Sequence, residues 1–179
     1  MRVVLDTGIL IAALITKDMP PGRIYQAWRK RRFELVTSQW QLDEFRRVSR
    51  YPKLRKYLQP IEAGNLINGL RHQARLIEVP PDVDLSEDPD DNPLLAMAIA
   101  AEADYLVSGD KRDVLSLKKV GKTRILTARR FLSVLKKRTG ENAAGLFAGL
   151  LRDLSSIVMR STANPATGAP NYDNKYTVL

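Results

Sequence analysis

Five short apolar segments, separated by helix-like stretches, constrain the fold of this chain more than any other feature. Each is almost continuously apolar rather than alternating, which is typical of a strand buried on both faces. Strands of this kind, joined by helices, form a parallel sheet with helices on both sides. The sequence therefore predicts an α/β fold, a three-layer α/β/α sandwich with a parallel, doubly wound sheet. The segments are RVVL (2–5), FELVT (33–37), RLIEV (75–79), DYLVS (104–108) and TRIL (123–126).

Apolar periodicity and capping residues indicate helices between these strands. The segment Pro20-Pro21-Gly22 is expected to interrupt the chain between the first helix and the second. Ser38 and Gln41 have the spacing of a capping box, in which each side chain caps the other residue's main chain. The predicted helices cover 8–15, 23–32, 39–49, 53–58, 61–75, 94–103 and 128–137.

Residues 139–179 differ in kind from the rest of the chain. Residues 141–159 place apolar side chains from Ala143 to Val158 on one helical stripe, and the chain from Arg160 onward is polar and rich in turn residues. We therefore expect one domain over 1–138 and a C-terminal extension over 139–179, an amphipathic helix followed by a flexible arm. A stripe of this kind is expected to dock on its own domain, on a second copy or on a partner.

Composition excludes several classes of chemistry. The chain has no cysteine and a single histidine, His72. Disulfide frameworks, thiolate sites, histidine-based zinc sites and Ser-His-Asp triads are therefore disfavoured. No apolar run reaches the ~18 residues that a membrane span requires, and the N-terminus is too short for a signal peptide. These features predict a soluble cytoplasmic protein with no membrane partner.

The formal net charge of +9 lies entirely within the predicted domain. Residues 1–138 carry 26 Lys and Arg against 17 Asp and Glu, whereas residues 139–179 are neutral. A basic domain favours a polyanionic partner such as nucleic acid.

Four acids are expected to meet at one edge of the sheet. Asp6 follows the first strand, and Asp110 comes shortly after the fourth. Glu44 lies on the helix after the second strand, and Asp91 directly precedes the helix that leads into the fourth. Ligands of open parallel sheets gather at the carboxyl ends of the strands. Clustered carboxylates favour a neutralising cation, and all-oxygen ligation favours Mg²⁺ or Mn²⁺.

Four segments of the chain resemble the successive blocks of PIN-domain proteins, most closely the VapC-like toxins of type II toxin–antitoxin systems. They are VVLDTGILIAAL, LDEFRRVSRYPKL, DPDDNPLLAMAIAAEADYLVSGDK and RILTARRFL, and together they cover roughly residues 1–135. The resemblance implies that Asp6, Glu44, Asp91 and Asp110 are the catalytic, metal-binding acids. It implies a Mg²⁺- or Mn²⁺-dependent endoribonuclease that leaves 5′-phosphate and 3′-hydroxyl ends. It also implies a protein antitoxin as partner, and a homodimer.

Auxiliary roles remain open at several positions. Thr7 could orient a water molecule at the metal or cap a helix, and Asp113 is a second candidate behind Asp110. Asp6 could be only a strand-end cap. Asp91 could cap a helix, and a shift in that helix's start would exchange it with Asp90.

The basic and aromatic side chains have less specific interpretations. The basic residues could contact RNA phosphates or simply form a solvated face. Trp28 and Trp40 have apolar neighbours at helical positions, which favours core packing over base stacking. The candidate RNA-binding residues are Arg29, Lys30, Arg31, Arg32, Arg46 and Arg47.

Gly8 bears on two alternative functions. PIN-domain proteins often have Asn at this position, so a catalytically impaired PIN-like module that binds RNA or a partner is the main alternative. A phosphatase of the haloacid dehalogenase type also begins with an acid after its first strand. That chemistry needs a second acid two residues after the nucleophile, where this chain has Gly8. The phosphatase is therefore disfavoured.

Overall fold

The computed structural model describes residues 1–78, 83–109, 114–138 and 140, which contain six strands in one sheet. The strand order is β3-β2-β1-β4-β6-β5, with every neighbouring pair parallel except β5 and β6. The predicted α/β/α fold with a doubly wound sheet is thus confirmed, with one antiparallel edge strand added. The strands are β1 (Arg2–Leu5), β2 (Glu34–Ser38), β3 (Arg75–Ile77), β4 (Tyr105–Val107), β5 (Lys119–Val120) and β6 (Thr123–Leu126).

Helices cover both faces of the sheet, because successive side chains of a strand point to opposite sides. Val3 and Leu5 pack into a core with α1, α2, α3, α4 and α6, whereas Val4 packs on the opposite face with α5. None of the helices within the described residues is long and apolar enough to cross a membrane. The helices are α1 (Thr7–Ile15), α2 (Pro20–Arg29), α3 (Gln39–Ser49), α4 (Pro60–Gln73), α5 (Asn92–Ala100) and α6 (128–138).

The second helix begins earlier than the sequence predicts. Pro20 is its first residue rather than a breaker before it, because a proline at the first helical position loses no hydrogen bond and already has a helical φ. Gly22 packs so closely on the preceding turn that an added Cβ would lie 2.2 Å from the Lys17 carbonyl oxygen. The predicted end at residue 32 was also wrong, since α2 ends at Arg29 and Arg31 adopts a positive φ of 55°.

The capping box predicted at α3 is half present. The Ser38 hydroxyl accepts a hydrogen bond from the Gln41 amide at 3.3 Å, as expected of an N-cap. The Gln41 side chain instead turns into the core, where its amide group donates to the Leu5 carbonyl at 2.6 Å and its oxygen accepts from Thr37 at 2.8 Å. Gln41 therefore fastens α3 to the end of β1.

The remaining differences are shifts at the ends of elements. The segment predicted helical at 53–58 contains only a short 3₁₀ turn, Pro52–Leu54. α4 starts at Pro60 and α5 at Asn92, each slightly before its predicted start, and again with proline in the first turn. Met1–Lys137 form one compact unit. The predicted helix and arm of the extension lie outside the described residues.

Candidate functional site

The strand order places a topological switch point between β1 and β4. The chain proceeds from β1 to β2 and β3 on one side and then returns to β4 on the other, so the loops after β1 and β4 diverge there. Asp6 follows β1 and Ser108 follows β4, and the Ser108 hydroxyl donates a hydrogen bond of 2.5 Å to Asp6 Oδ2. The Asp6 amide donates to the Val107 carbonyl at 2.9 Å. The carboxylate of Asp6 is thus held at the position where open α/β sheets bind ligands.

Asp6 also caps α1. Its Oδ1 accepts a hydrogen bond of 3.0 Å from the Gly8 amide. Asp6 is therefore a cap, as one interpretation of the sequence predicts. The capping hydrogen bond occupies only one acceptor site of the carboxylate, because each carboxylate oxygen carries two such sites. The hydrogen bonds from Gly8 and Ser108 therefore fix the orientation of the partly exposed Asp6 carboxylate without filling all of its acceptor sites.

Thr7 links this carboxylate to the second predicted acid. Its buried hydroxyl donates a hydrogen bond of 2.6 Å to Glu44 Oε2. The Glu44 side chain is 27% exposed, and its Oε1 lies 3.9 Å from the Arg47 guanidinium. Consecutive residues at the end of β1 thus provide one acid and hold another, which brings Asp6 and Glu44 into one region.

Asp91 lies at the same edge of the sheet. The carbonyl of Ala101, just beyond the end of α5, accepts from Arg2 at 3.0 Å, at the edge where β1 begins. The start of α5 therefore lies toward the carboxyl edge. Asp91 ends the 3₁₀ turn Pro89–Asp91, and its Oδ2 is buried, whereas Asp90 is exposed. Asp91 occupies the N-cap position of α5, as the sequence indicates, but its side chain makes no capping hydrogen bond there.

An acidic cleft of about 400 Å³ adjoins Glu44 between α3 and the turn before α5. A hydrogen bond from the Gln39 side chain, together with the Arg46 guanidinium, holds the pKa of Asp43 below its usual value. Asp43 therefore stays ionised beside Glu44. The lining residues are Trp40, Asp43, Glu44, Arg47, Pro89, Asp90 and Pro93.

The acidic side chains of the described residues are of the type that binds a hard divalent cation, but they do not by themselves form a complete binding site for one. Carboxylate oxygens are the ligands that Mg²⁺ and Mn²⁺ prefer. Within residues 1–78, 83–109 and 114–138, no three acidic or histidine side chains lie close enough to hold a metal. The predicted ligand Asp110 and the auxiliary candidate Asp113 lie outside the described residues.

The structure separates the basic residues into two sets. The run Arg29–Arg32 precedes β2, whose first residue, Glu34, bonds to Met1 at the amino edge, away from the acids. Arg32 donates to the Leu135 carbonyl at 2.8 Å. Arg46 and Arg47 lie on α3 with Glu44.

Ser108 and Gln41 belong to the site's support and were not among the predicted site residues. Ser108 could have been found by the rule that identified Asp6, because both are polar residues directly after a strand. The local pattern around Gln41 pointed only to a cap. Its buried bonds to Leu5 and Thr37 depend on tertiary packing that the sequence does not reveal.

Comparison with known proteins identifies the family. The chain is 30% identical over 124 residues to an uncharacterized protein of Methanocaldococcus jannaschii, covering 66% of this chain and 76% of that protein. The crystal structure of VapBC2 from Rickettsia felis, bound to a DNA fragment from its promoter, matches with a TM-score of 0.47 and 17% identity, over 71% of this chain and 98% of that chain. A likeness of that size carries no conclusion about activity or partner. A model of the PIN domain family matches residues 2–112, which is more than half of the sequence. The chain belongs to the PIN domain family.

Proposed function

We propose that this protein is a metal-dependent endoribonuclease that hydrolyses RNA phosphodiester bonds. Asp6, Glu44, Asp91 and Asp110 are its proposed catalytic acids, with Mg²⁺ or Mn²⁺ as the cofactor. The observation that carries the proposal is the Asp6 carboxylate, held between Ser108 and Gly8 at the switch point. Its connection to Glu44 through Thr7 supports a shared site.

The residues around the acids have a preorganising role in this proposal. Thr7 and Ser108 donate their hydroxyl protons to the two carboxylates in hydrogen bonds, which fixes the direction in which each carboxylate points. Such fixed orientation lowers the reorganisation needed during reaction. When bound, the divalent ion supplies activation of water and neutralisation of charge on the leaving oxygen.

A cleavage assay tests the activity directly. Single-stranded RNA should be cut in Mg²⁺ or Mn²⁺ and left intact in EDTA, with a phosphate on the 5′ end of each downstream product. Filter binding in EDTA should show that RNA is retained without metal. RNA that is bound but never cut in either metal would contradict the proposal and favour the alternative, a catalytically impaired binding module.

We also propose that the protein is a toxin silenced by a separately encoded antitoxin. The support is the sequence resemblance over residues 1–135, together with the apolar stripe predicted in the extension at 139–179, for which a partner or a second copy is one expected docking site. Induced expression in a bacterial host should arrest growth, and the Asp6→Asn variant at equal abundance should not. Equal arrest by both proteins would show that the growth effect does not come from cleavage.

A further inference from the structure

Trp40 occupies a position that its sequence context does not predict. Both tryptophans are expected in the core, and Trp28 lies there with 3% of its surface exposed. Trp40 is only partly buried. It packs against the core cluster on the α5 face, whereas Leu42 and Phe45 of the same helix pack into the cluster on the other face. The start of α3 therefore spans the carboxyl edge of the sheet, with Trp40 at its rim.

Trp40 lines two clefts. One is the acidic cleft that contains Glu44, and the other is a second cleft of about 640 Å³ beside β3. The second cleft is lined by Ser38, Gln39, Trp40, Leu76, Ile77 and Glu78. Leu76 is 54% exposed, so this cleft has an apolar wall in contact with solvent. Trp40 thus lies at the boundary between a proposed reaction centre and an open apolar cleft.

Trp40 and Glu44 lie on the same face of α3. Trp40, Glu44 and Arg47 are spaced i, i+4 and i+7, so they lie along the same side of the helix. Glu44 stands between an aromatic ring and an arginine that is 62% exposed. A strand whose phosphate lies at Glu44 can therefore place a base on the ring and a neighbouring phosphate near the guanidinium.

We propose that Trp40 is a stacking platform for a base of single-stranded RNA next to the cleaved phosphate. The inference rests on the proposed ribonuclease function. Base stacking on an aromatic face is tolerant of sequence and is the usual way in which unpaired nucleotides are held. In the acidic cleft, Asp43, Glu44 and Asp90 repel a phosphate whose charge no metal ion neutralises. The part of this cleft beside Trp40 therefore suits a base better than a phosphate.

Tryptophan fluorescence tests the platform without relying on cleavage. The chain has two tryptophans, so the Trp40→Phe variant isolates the emission of buried Trp28 as a matched control. The probe is a dye-labelled oligoadenylate of about six nucleotides, in EDTA at low salt, with binding followed by anisotropy of the dye. Saturating RNA should quench and shift the emission of the parent protein and leave that of Trp40→Phe unchanged. An abasic oligomer of equal length, which keeps the phosphates, should cause little quenching.

Substitution measures the contribution of stacking. Trp40→Ala should weaken oligoadenylate binding by about 5- to 150-fold, as the loss of one stacked base predicts. Trp40→Phe should weaken it much less, because a smaller aromatic face remains. Thermal denaturation of both variants identifies any loss of affinity that comes from unfolding.

The outcomes separate this inference from the proposed function. RNA that binds and is cut by the parent protein without any change in Trp40 emission would overturn the platform alone. Quenching by RNA in a protein that never cleaves would support the platform and contradict the ribonuclease. Equal affinity of the folded parent, Trp40→Phe and Trp40→Ala proteins would also overturn the platform.

Discussion

Replacing Asp6 by asparagine separates the chemical role of its carboxylate from its structural role. The amide oxygen of the substituted side chain would still accept the 3.0 Å bond from the Gly8 amide, since asparagine and aspartate are equally good N-caps. Its amide nitrogen would face the Ser108 hydroxyl, which can rotate from donor to acceptor. The fold should therefore survive with the same contacts.

The structural cost of Asp6→Asn follows from these contacts. Exchanging a charge-assisted bond for a neutral one costs about 1 kcal/mol, and losing a negative charge at the start of α1 costs about 0.3–1 kcal/mol. For a chain of this size, the resulting decrease in Tm is about 2–8 °C. Cleavage should fall much further, by about 10²–10³-fold or more, because an electrostatic contribution to the transition state is removed. RNA binding in EDTA should be unchanged or tighter, since one repelling charge has gone.

Asp104→Asn is the matched control for Asp6→Asn. Asp104 lies at the opposite edge of the sheet, and its carboxylate also accepts a bond from a main-chain amide, that of Arg2, at 2.7 Å. The two variants have the same change in net charge. Cleavage rates in Mn²⁺, melting temperatures and RNA affinities should be measured for both. If Asp6→Asn cuts at nearly the parental rate, Asp6 is only a cap, and if both variants lose activity equally, net charge rather than the site is responsible.

Three further perturbations test the support of the site and the extension. Thr7→Val should lower the free energy of unfolding by about 1–3 kcal/mol, because it removes the hydroxyl that donates to Glu44; in double-mutant cycles by urea denaturation, Thr7→Val should couple to Glu44→Ala, whereas Thr7→Ser, which keeps the donor, should not. Gly8→Ala should raise stability by about 0.5–1 kcal/mol, since its Cβ meets only the Asp6 carboxylate at 3.8 Å, while Gly22→Ala should lower it by about 1–3 kcal/mol through a main-chain clash; equal effects would refute this steric assignment. Truncation after residue 138 should change the oligomeric state or solubility measured by light scattering and leave the acids in place, and an unchanged mass, stability and partner affinity would show that the extension is dispensable.

The sheet could be predicted from the sequence because its strands are buried on both faces. Four of the five predicted strands differ from the observed ones by at most one residue at either end, and TRIL matches β6 at both ends. The fifth, β3, is observed at Arg75–Ile77 within the predicted 75–79. Strand β5 was missed, because two residues joined to β6 by a tight turn have no apolar pattern. That turn depends on Gly121, whose φ of +53° favours glycine.

The acids of the site were predicted by resemblance and by their position after strands, but their surroundings were not. No local pattern indicates that Thr7 donates to Glu44, since those residues are 37 positions apart. The same holds for Ser108 and Asp6, which are 102 positions apart. The first bond arises only when folding packs α1 against α3, and the second only when the strand order brings the ends of β1 and β4 together. The predicted catalytic and metal-binding roles of all four acids stay predictions, and Asp110 itself lies outside the described residues.

The geometry of the site depends on one short junction at the end of β1. The Leu5 carbonyl accepts from Gln41, Asp6 accepts from Ser108, and Thr7 donates to Glu44. Three consecutive residues therefore attach the start of α3 and the end of β4 to the central strand. Leu5 and Thr7 are themselves buried, so the junction cannot shift without disturbing the core. The relative placement of Asp6 and Glu44 is consequently set by the packing of β1 rather than by either acid.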